Sequence, residues 1–102
     1  MNIFRIILLT EVENFIFQLS DKDQLKISGA IDALRNRKFE HVSIKQLRGE
    51  IKELRVKRYR LLFFIHESSI YIVRIFIKKS AKAPVREIDF VEKFYKIYKA
   101  NI

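Results

Sequence analysis

The alternation of apolar and polar residues between positions 51 and 79 predicts three consecutive β-strands. In the first of these, EIKELRV, Leu54 and Val56 fall on one side and the charged residues on the other, as in a strand that packs on one face. The runs YRLLFFIH and SIYIVRIFIKK follow, with residues 67–69 as the turn between them. The centre of the chain is therefore predicted to be an antiparallel meander.

Upstream of these strands, helical spacing predicts a hairpin of two helices. Residues 3–9 are an Ile-rich run that predicts a first strand. Thr10, with Glu13 three residues later, predicts the N-cap of the first helix. Ser20 or Asp21 predicts the N-cap of the second helix, whose apolar residues fall close to one face: Leu25, Ile27, Ile31 and Leu34.

The first strand, over residues 3–9, is expected to flank the meander. Extended structure is predicted to begin around Ile44 and Leu47, Gly49 permits a bend, and Pro84 suits the first turn of a final helix. Together these elements predict an α+β fold: an N-terminal strand and helical hairpin packed on a small, mainly antiparallel sheet of about four strands, with a C-terminal helix. The length of 102 residues is that of a single domain, spanning 1–102, with one core.

The positive charge of the chain is concentrated in two blocks of the predicted sheet. The formal net charge is +9. Residues 45–60 contain seven Lys and Arg against two acidic residues, and residues 74–86 contain five against none, whereas the rest of the chain contains nine against ten. Because the fields of clustered charges add, these blocks predict a polyanionic partner, either nucleic acid or an acidic protein segment.

Several classes of site are disfavoured by composition. The chain has no cysteine, and its two histidines, His41 and His66, are far apart in sequence, so neither a metal site nor a cofactor is predicted. No apolar run is long enough to span a bilayer, and Glu11 and Glu13 stand where a signal peptide would need small residues. The sequence therefore predicts no membrane partner.

The most specific chemical indication is a pair of like charges. If Lys57 and Arg58 form the turn of the first hairpin, Arg55 lies opposite Arg60 on the same side of the sheet. Opposed like charges destabilise a sheet, so this pair predicts an anion bound between them. The alternative is that both guanidinium groups extend into water.

Other charged residues extend this candidate site. Glu53 shares the strand face of Arg55 and is the candidate general base, or else a carboxylate that only neutralises its basic neighbours. In the basic segment KKSAK, Lys79 and Lys82 are candidate phosphate ligands or proton donors, unless the segment is an ordinary solvated surface. Seven further basic residues of the two blocks are candidate RNA-binding residues: Lys45, Arg48, Lys52, Lys57, Arg58, Arg74 and Lys78.

Three motifs in these blocks resemble the signature of RelE/HigB-type toxins, the phage-derived branch of the RelE/ParE superfamily. They are K-x-L-x-G-x-I-x-E-L-R over residues 45–55, Y-R at 59–60, and F-x-K-K-S-x-K-x-P-x-x-E-I over residues 76–88. The resemblance covers the chain from end to end in the order of its elements. It implies a cytoplasmic toxin of a type II toxin-antitoxin module that binds the ribosome and cleaves mRNA, with an acidic cognate antitoxin as partner.

The resemblance also implies roles for particular residues. Arg55 and Arg60 match the arginines of the sheet, and Lys78, Lys79 and Lys82 match the basic loop after the last strand. Some relatives have a tyrosine or histidine after that strand, where this chain has only alanine, proline and valine among the basic residues, so Glu53 is the best candidate base. Two alternatives stay open: a ParE-like inhibitor of DNA gyrase that is not an enzyme, and a catalytically inactive nucleic-acid-binding module of the same fold.

Overall fold

A computed structural model describes residues 2–101 and contains five strands, three α-helices and one short 3-10 helix. The strands are β1 (Arg5–Leu8), β2 (Ser43–Arg48), β3 (Ile51–Val56), β4 (Tyr59–His66) and β5 (Ser69–Ile77). The α-helices are α1 (Thr10–Phe17), α2 (Asp21–Arg35) and α3 (Val85–Ala100), and the 3-10 helix is Phe39–His41. None of the helices within residues 2–101 has both the length and the continuous apolar surface that crossing a bilayer requires.

The strands form one mixed sheet in the order β1-β5-β4-β3-β2. Strands β2 to β5 are a meander of antiparallel hairpins, and β1 pairs in parallel with β5 at one edge. The predicted α+β fold is confirmed, but the sheet has five strands rather than four. The additional strand is β2, which a turn at Gly49 (φ +54°) joins to β3. Its outer edge is free and most of its side chains are polar, so its sequence carries only a weak strand signal.

The helices cover the two faces of the sheet unequally. Helices α1 and α2 pack on one face, where Leu54, Leu61 and Phe63 form the main core with Val12 and Ile27. Helix α3 packs on the other face in a smaller, aromatic-rich core. Burying both faces explains why the sequence of β4 is apolar at almost every position.

Two sequence predictions about the helical hairpin need correction. Leu9 rather than Thr10 is the N-cap of α1, and no side chain caps that helix. Leu25, which was assigned to the apolar face of α2, is 73% exposed, whereas Ile27 is fully buried. With about 3.6 residues per turn, Leu25 lies roughly 200° around the helix from Ile27, so its side chain is on the side of α2 that faces away from the sheet. The predicted cap at Ser20 is confirmed, because its hydroxyl oxygen accepts a hydrogen bond from the amide of Asp23 at 3.2 Å.

Candidate active site

The predicted catalytic residues meet at the end of the sheet that α3 leaves open. Helix α3 begins only at Val85, and the preceding segment 78–84 crosses the sheet face above β3 and β4. The space between them, here called the basic pocket, is bordered by six cationic side chains and one carboxylate: Lys45, Arg55, Arg60, Lys78, Lys79, Lys82 and Glu53. Residues that are up to 37 positions apart in sequence thus share one site, and its charge is strongly positive.

The basic pocket is narrow at rest. Its water-accessible volume is ≈ 20 Å³, which is room for about one water molecule. A phosphate group is larger, so the exposed lysines at its border must move apart to admit one. The pocket is therefore suited to an anion that draws several flexible cations around itself.

The register of the β3–β4 hairpin is the one that places Arg55 opposite Arg60. Val56 pairs with Tyr59 and Arg55 with Arg60, and the two-residue turn contains Lys57 in the left-handed region (φ +54°). The cross-strand neighbour of Arg60 on its other side is Phe76 of β5. The predicted like-charge pair is confirmed as a feature of the sheet.

The two arginines are held in different ways. Arg60 is only 9% exposed, and its Nη1 donates hydrogen bonds of 2.9 Å to the main-chain carbonyl oxygens of Lys57 and Tyr59. Within residues 2–101, both of its hydrogen bonds use Nη1, and no buried side-chain nitrogen lacks a partner. The Nε and Nη2 donors of Arg60 therefore keep contact with solvent and are not used by the hydrogen bonds to the turn.

Arg55 is held by the single carboxylate of the pocket. Its Nε donates to Oε1 of Glu53 at 2.9 Å, while the Arg55 side chain is 37% exposed and that of Glu53 only 4%. Oε2 of Glu53 accepts no hydrogen bond from the described residues, yet it is not a fully buried unpaired atom. This oxygen therefore keeps contact with solvent, in a residue that borders the pocket. Glu53 both fixes the guanidinium of Arg55 and presents a free acceptor.

The loop above the pocket begins as a continuation of β5. The amide of Lys78 donates to the carbonyl oxygen of Arg58 at 2.7 Å, and the hydroxyl of Ser80 donates to the carbonyl oxygen of Lys82 at 3.0 Å. The side chains of Lys78, Lys79 and Lys82 are exposed. The backbone of the loop is thus anchored at the β3–β4 turn, while its ammonium groups stay in solvent.

Two of the residues predicted to bind RNA hold α3 against the sheet instead of bordering the pocket. Arg48 on β2 pairs with Asp89 at 2.6 Å and Glu92 at 3.0 Å, and these carboxylates raise the pKa of Arg48. Arg74 on β5 pairs with Glu87 at 2.7 Å, which raises the pKa of Arg74.

Arg74 also reaches α1 and the surface of α3. Its Nη1 lies 3.3 Å from Oε2 of Glu11, and its guanidinium lies over the ring of Phe90 at 4.8 Å. These contacts tie α1, β5 and α3 together. A role for Arg48 or Arg74 in RNA binding stays a prediction, but any such role would compete with these ion pairs.

The other three basic candidates lie around the β3–β4 hairpin without entering the pocket. Lys52 pairs with Phe63 across the strands and lies on the sheet face opposite Glu53. Lys57 pairs with Asp23 on α2 at 2.9 Å, and Arg58 is exposed with its guanidinium 5.7 Å from the ring of Tyr59. Of these three, Arg58 is the one that lies next to the loop and forms no ion pair with another residue of the range 2–101.

Sequence reasoning missed Asp23, which fixes the β3–β4 hairpin from the sheet face opposite the basic pocket. Its carboxylate accepts hydrogen bonds from the Tyr59 hydroxyl at 2.6 Å and from the Lys57 ammonium at 2.9 Å. These two bonds, that from Tyr59 above all, lower the pKa of Asp23. Tyr59 is 1% exposed and belongs to the core, so it is not available for base stacking. No local signal links Asp23 to a hairpin more than 30 residues away.

Metal ligands do not cluster in the part of the chain that the structure describes. Residues 2–101 contain no group of three or more His, Asp or Glu side chains placed to hold an ion. His66 lies at the far end of β4 from Arg60, with its ring against Tyr98.

Comparisons with known proteins agree with this architecture. The sequence profile of a family described as "Phage derived protein Gp49-like" matches residues 14–96. The fold is similar to that of a chain in the crystal structure of an archaeal RelE-RelB complex from Pyrococcus horikoshii OT3, with a TM-score of 0.69 and 17% identity over 79% of this chain and 100% of that one. It is also similar to the crystal structure of a RelB-RelE antitoxin-toxin complex from Methanococcus jannaschii, with a TM-score of 0.60 and 15% identity over 70% of this chain and 88% of that one.

These similarities confirm the resemblance drawn from the sequence motifs at the level of family and fold. No curated protein sequence matches the chain significantly. At 15–17% identity, the solved structures bear on the fold alone.

Proposed function

The chain belongs to the phage-derived Gp49-like family, and on that premise we propose that it is the toxin of a type II toxin-antitoxin module. In this proposal it acts in the cytoplasm as an endoribonuclease that cleaves mRNA on the ribosome and so inhibits translation. The solved relatives are toxin-antitoxin complexes by their own descriptions, which supports the first part of the proposal. The second part depends on the basic pocket.

The observation that carries the enzymatic proposal is the combination of six cations with one accessible carboxylate oxygen. In ribonucleolytic cleavage the 2′-hydroxyl of a ribose attacks the adjacent phosphorus, forming a 2′-O–P bond and breaking the P–O5′ bond. The pentavalent phosphorane carries extra negative charge, which cations placed before the reaction stabilise more strongly than water does. Arg55 and Arg60 face each other across the strands where such an anion would sit.

Proton transfer is assigned to the remaining groups. The free Oε2 of Glu53 accepts the proton of the 2′-hydroxyl, and the ammonium of Lys79 or Lys82 donates a proton to the leaving 5′-oxygen. The products are a 2′,3′-cyclic phosphate and a 5′-hydroxyl. Lys45 and Lys78 hold the phosphates on either side, with Arg58 further along the hairpin.

An acidic antitoxin is the proposed protein partner. The basic pocket attracts an acidic segment as well as RNA, since charge complementarity raises the rate of encounter and a bound carboxylate cluster would occupy the same cations. We expect the antitoxin to be encoded beside this protein. A purified complex in which the antitoxin leaves the pocket lysines as reactive to acylation as in the free protein would contradict this mode of inhibition.

The test of the enzymatic proposal is cleavage of a translated message. Purified protein is added to ribosomes programmed with a defined mRNA, and primer extension maps the cuts. Wild type should give cuts only in translated messages, with 2′,3′-cyclic phosphate ends. Arg55→Gln should lower the cleavage rate by about 100-fold, within the range found when one donor to a transition-state oxyanion is removed.

The matched control is Arg5→Gln, which removes an exposed arginine at the other edge of the sheet. This variant should cleave like wild type. Because Arg60 is buried, Arg60→Lys is preferable to alanine at that position, and circular dichroism should verify its fold. Absence of cuts with wild-type protein and programmed ribosomes overturns the enzymatic proposal. DNA damage with intact translation would instead point to the gyrase alternative.

A further inference from the structure

The C-terminal part of β5, beyond Ile72, has no neighbouring strand on one side. Strand β1 pairs only with Ser69–Ile72, and the last main-chain hydrogen bond between the two runs from the amide of Leu9 to the carbonyl oxygen of Ile72 at 3.2 Å. The chain then turns into α1. Within residues 2–101, the edge of β5 beyond Ile72 is therefore free for the rest of the strand.

The backbone groups at this free edge can be identified from the pairing with β4. The amide of Lys78 donates to Arg58, and residues in an antiparallel strand alternate between facing their partner and facing away. Phe76, which pairs with Arg60, therefore faces β4, whereas Ile75 and Ile77 direct their N–H and C=O groups away from it. Two donors and two acceptors of the main chain thus lie along the free edge.

These groups face a concavity of ≈ 290 Å³, here called the edge groove. Its apolar walls are Phe15, Ile75, Ile77 and Pro84. This volume lies near the lower end of the roughly 300–1,000 Å³ typical of small-molecule sites. The edge groove therefore combines an apolar interior with unpaired main-chain polar groups.

The edge groove adjoins the basic pocket. Phe76, Lys79, Ser80 and Pro84 border both, so the loop after β5 is the partition between them. Lys79 and the exposed Arg86 give the groove a cationic rim.

The carboxylate that borders the edge groove is already neutralised by an ion pair. Glu87 borders the groove, but its Oε1 accepts the Nε of Arg74 at 2.7 Å. A ligand with an anionic group in the basic pocket can therefore extend an uncharged, planar part into the edge groove without meeting an unpaired negative charge.

We propose that the edge groove binds a nucleobase of the nucleotide next to the phosphate held in the basic pocket. The base would contact Phe15 and Pro84 and form hydrogen bonds with the main-chain groups of Ile75 and Ile77. Such groups can read the donor and acceptor pattern of a base edge, so the groove would give the nuclease a base preference. This inference rests on the proposed function for the identity of the substrate as RNA.

A peptide strand added to the sheet edge is the competing occupant, and two observations disfavour it. Only Ile75 and Ile77 direct main-chain groups outward, whereas strands are typically about five or six residues long. The groove also adjoins the basic pocket, because Lys79, Ser80 and Pro84 of the basic loop border both cavities. A single nucleotide that spans both cavities fits this shape better.

Nucleotide binding can be tested without ribosomes. The amide resonances of the wild-type protein are followed by NMR while AMP, GMP, CMP or UMP is added, and ribose 5-phosphate is the probe without a base. At least one nucleotide should shift the amides of Ile75 and Ile77 and bind about 5- to 150-fold more tightly than ribose 5-phosphate, the range expected for stacking of one base.

Ile77→Trp is designed to fill the groove without changing its charge, and Ile97→Trp makes the same replacement at an exposed isoleucine of α3. The first variant should lose the advantage of nucleotides over ribose 5-phosphate and spread its cuts more evenly over the four nucleotides. The second should behave like wild type.

Equal affinity for nucleotides and ribose 5-phosphate would overturn the inference, as would shifts at Ile75 and Ile77 that only an acidic peptide produces. The wild-type titration decides this even if Ile77→Trp does not fold. If ribosomes show no cleavage but the nucleotide shifts occur, the nuclease proposal fails and the nucleotide subsite stands.

Discussion

Replacing Glu53 with glutamine separates its two possible roles, which are to act as the general base and to orient Arg55. In the native pocket its carboxylate is 4% exposed and accepts a hydrogen bond from Arg55. A hydrogen bond to a charged group contributes about 1.5–3 kcal/mol. Arg55 is 37% exposed and regains water when the pair is lost, so we expect a destabilisation of only about 1 kcal/mol. For a domain of this size that is a fall of about 4–8 °C in Tm.

The same substitution leaves six cations around the pocket with no carboxylate among them. Inorganic phosphate should therefore raise the Tm of Glu53→Gln more than that of wild type, compared at equal ionic strength with chloride. Glu50→Gln, in the exposed β2–β3 turn, is the control and should respond like wild type. If phosphate stabilises Glu53→Gln and wild type equally, the electrostatic description of the pocket is wrong.

Cleavage kinetics then distinguish a base from a positioning group. If Glu53 takes the proton of the 2′-hydroxyl, its replacement should lower the cleavage rate by about 10² to 10⁴-fold. A loss below about tenfold would refute the assignment of Glu53 as base and leave it the role of orienting Arg55.

Two further perturbations test the surroundings of the site. Because the hydrogen bond from Tyr59 lowers the pKa of Asp23, the contribution of Asp23 to stability is complete above its usual pKa of 3.8 and is lost as the pH falls below that value. Unfolding followed between pH 5 and 2 should show a smaller acid-induced loss for Asp23→Asn than for wild type, and an equal loss would contradict this. Arg74→Gln should lower stability by about 1 kcal/mol and speed hydrogen exchange in the first turns of α3, since it breaks the pair with Glu87. If Arg74 contacts RNA instead, the variant should flatten the salt dependence of RNA binding by about one unit.

The order of elements and the register of the central hairpin were predictable because local patterns determine them. Leu54 and Val56 alternate with charged residues, and a two-residue turn at Lys57 leaves one pairing of the strands. That register also placed Arg55 opposite Arg60. Strand β2 was not counted because it lies at the edge of the sheet, where its two apolar residues, Ile44 and Leu47, are only half-buried.

The functions of individual basic residues were less predictable, because charge patterning does not reveal which acids are nearby in space. Arg48 and Arg74 belong to the same basic blocks as the pocket lysines, yet their partners are carboxylates of α3 and α1. The pairing of Lys57 with Asp23 likewise depends on how α2 packs against the hairpin. Sequence identified the blocks, and only the packing of the helices divides them into pocket residues and residues that anchor helices.

The unequal anchoring of the two arginines bears on how the site would work. Arg60 is fixed to the main chain of the β3–β4 turn, and Asp23 fixes that turn to α2 through Lys57 and Tyr59. Its position is thus determined by the core of the domain. Arg55 is fixed only through a side chain and is more exposed. A donor placed in advance costs little reorganisation as charge develops, whereas a mobile one can follow a substrate as it enters. Arg60 is therefore suited to contact the transition state from a fixed position, and Arg55 to capture the phosphate first and then stabilise the same charge beside Arg60.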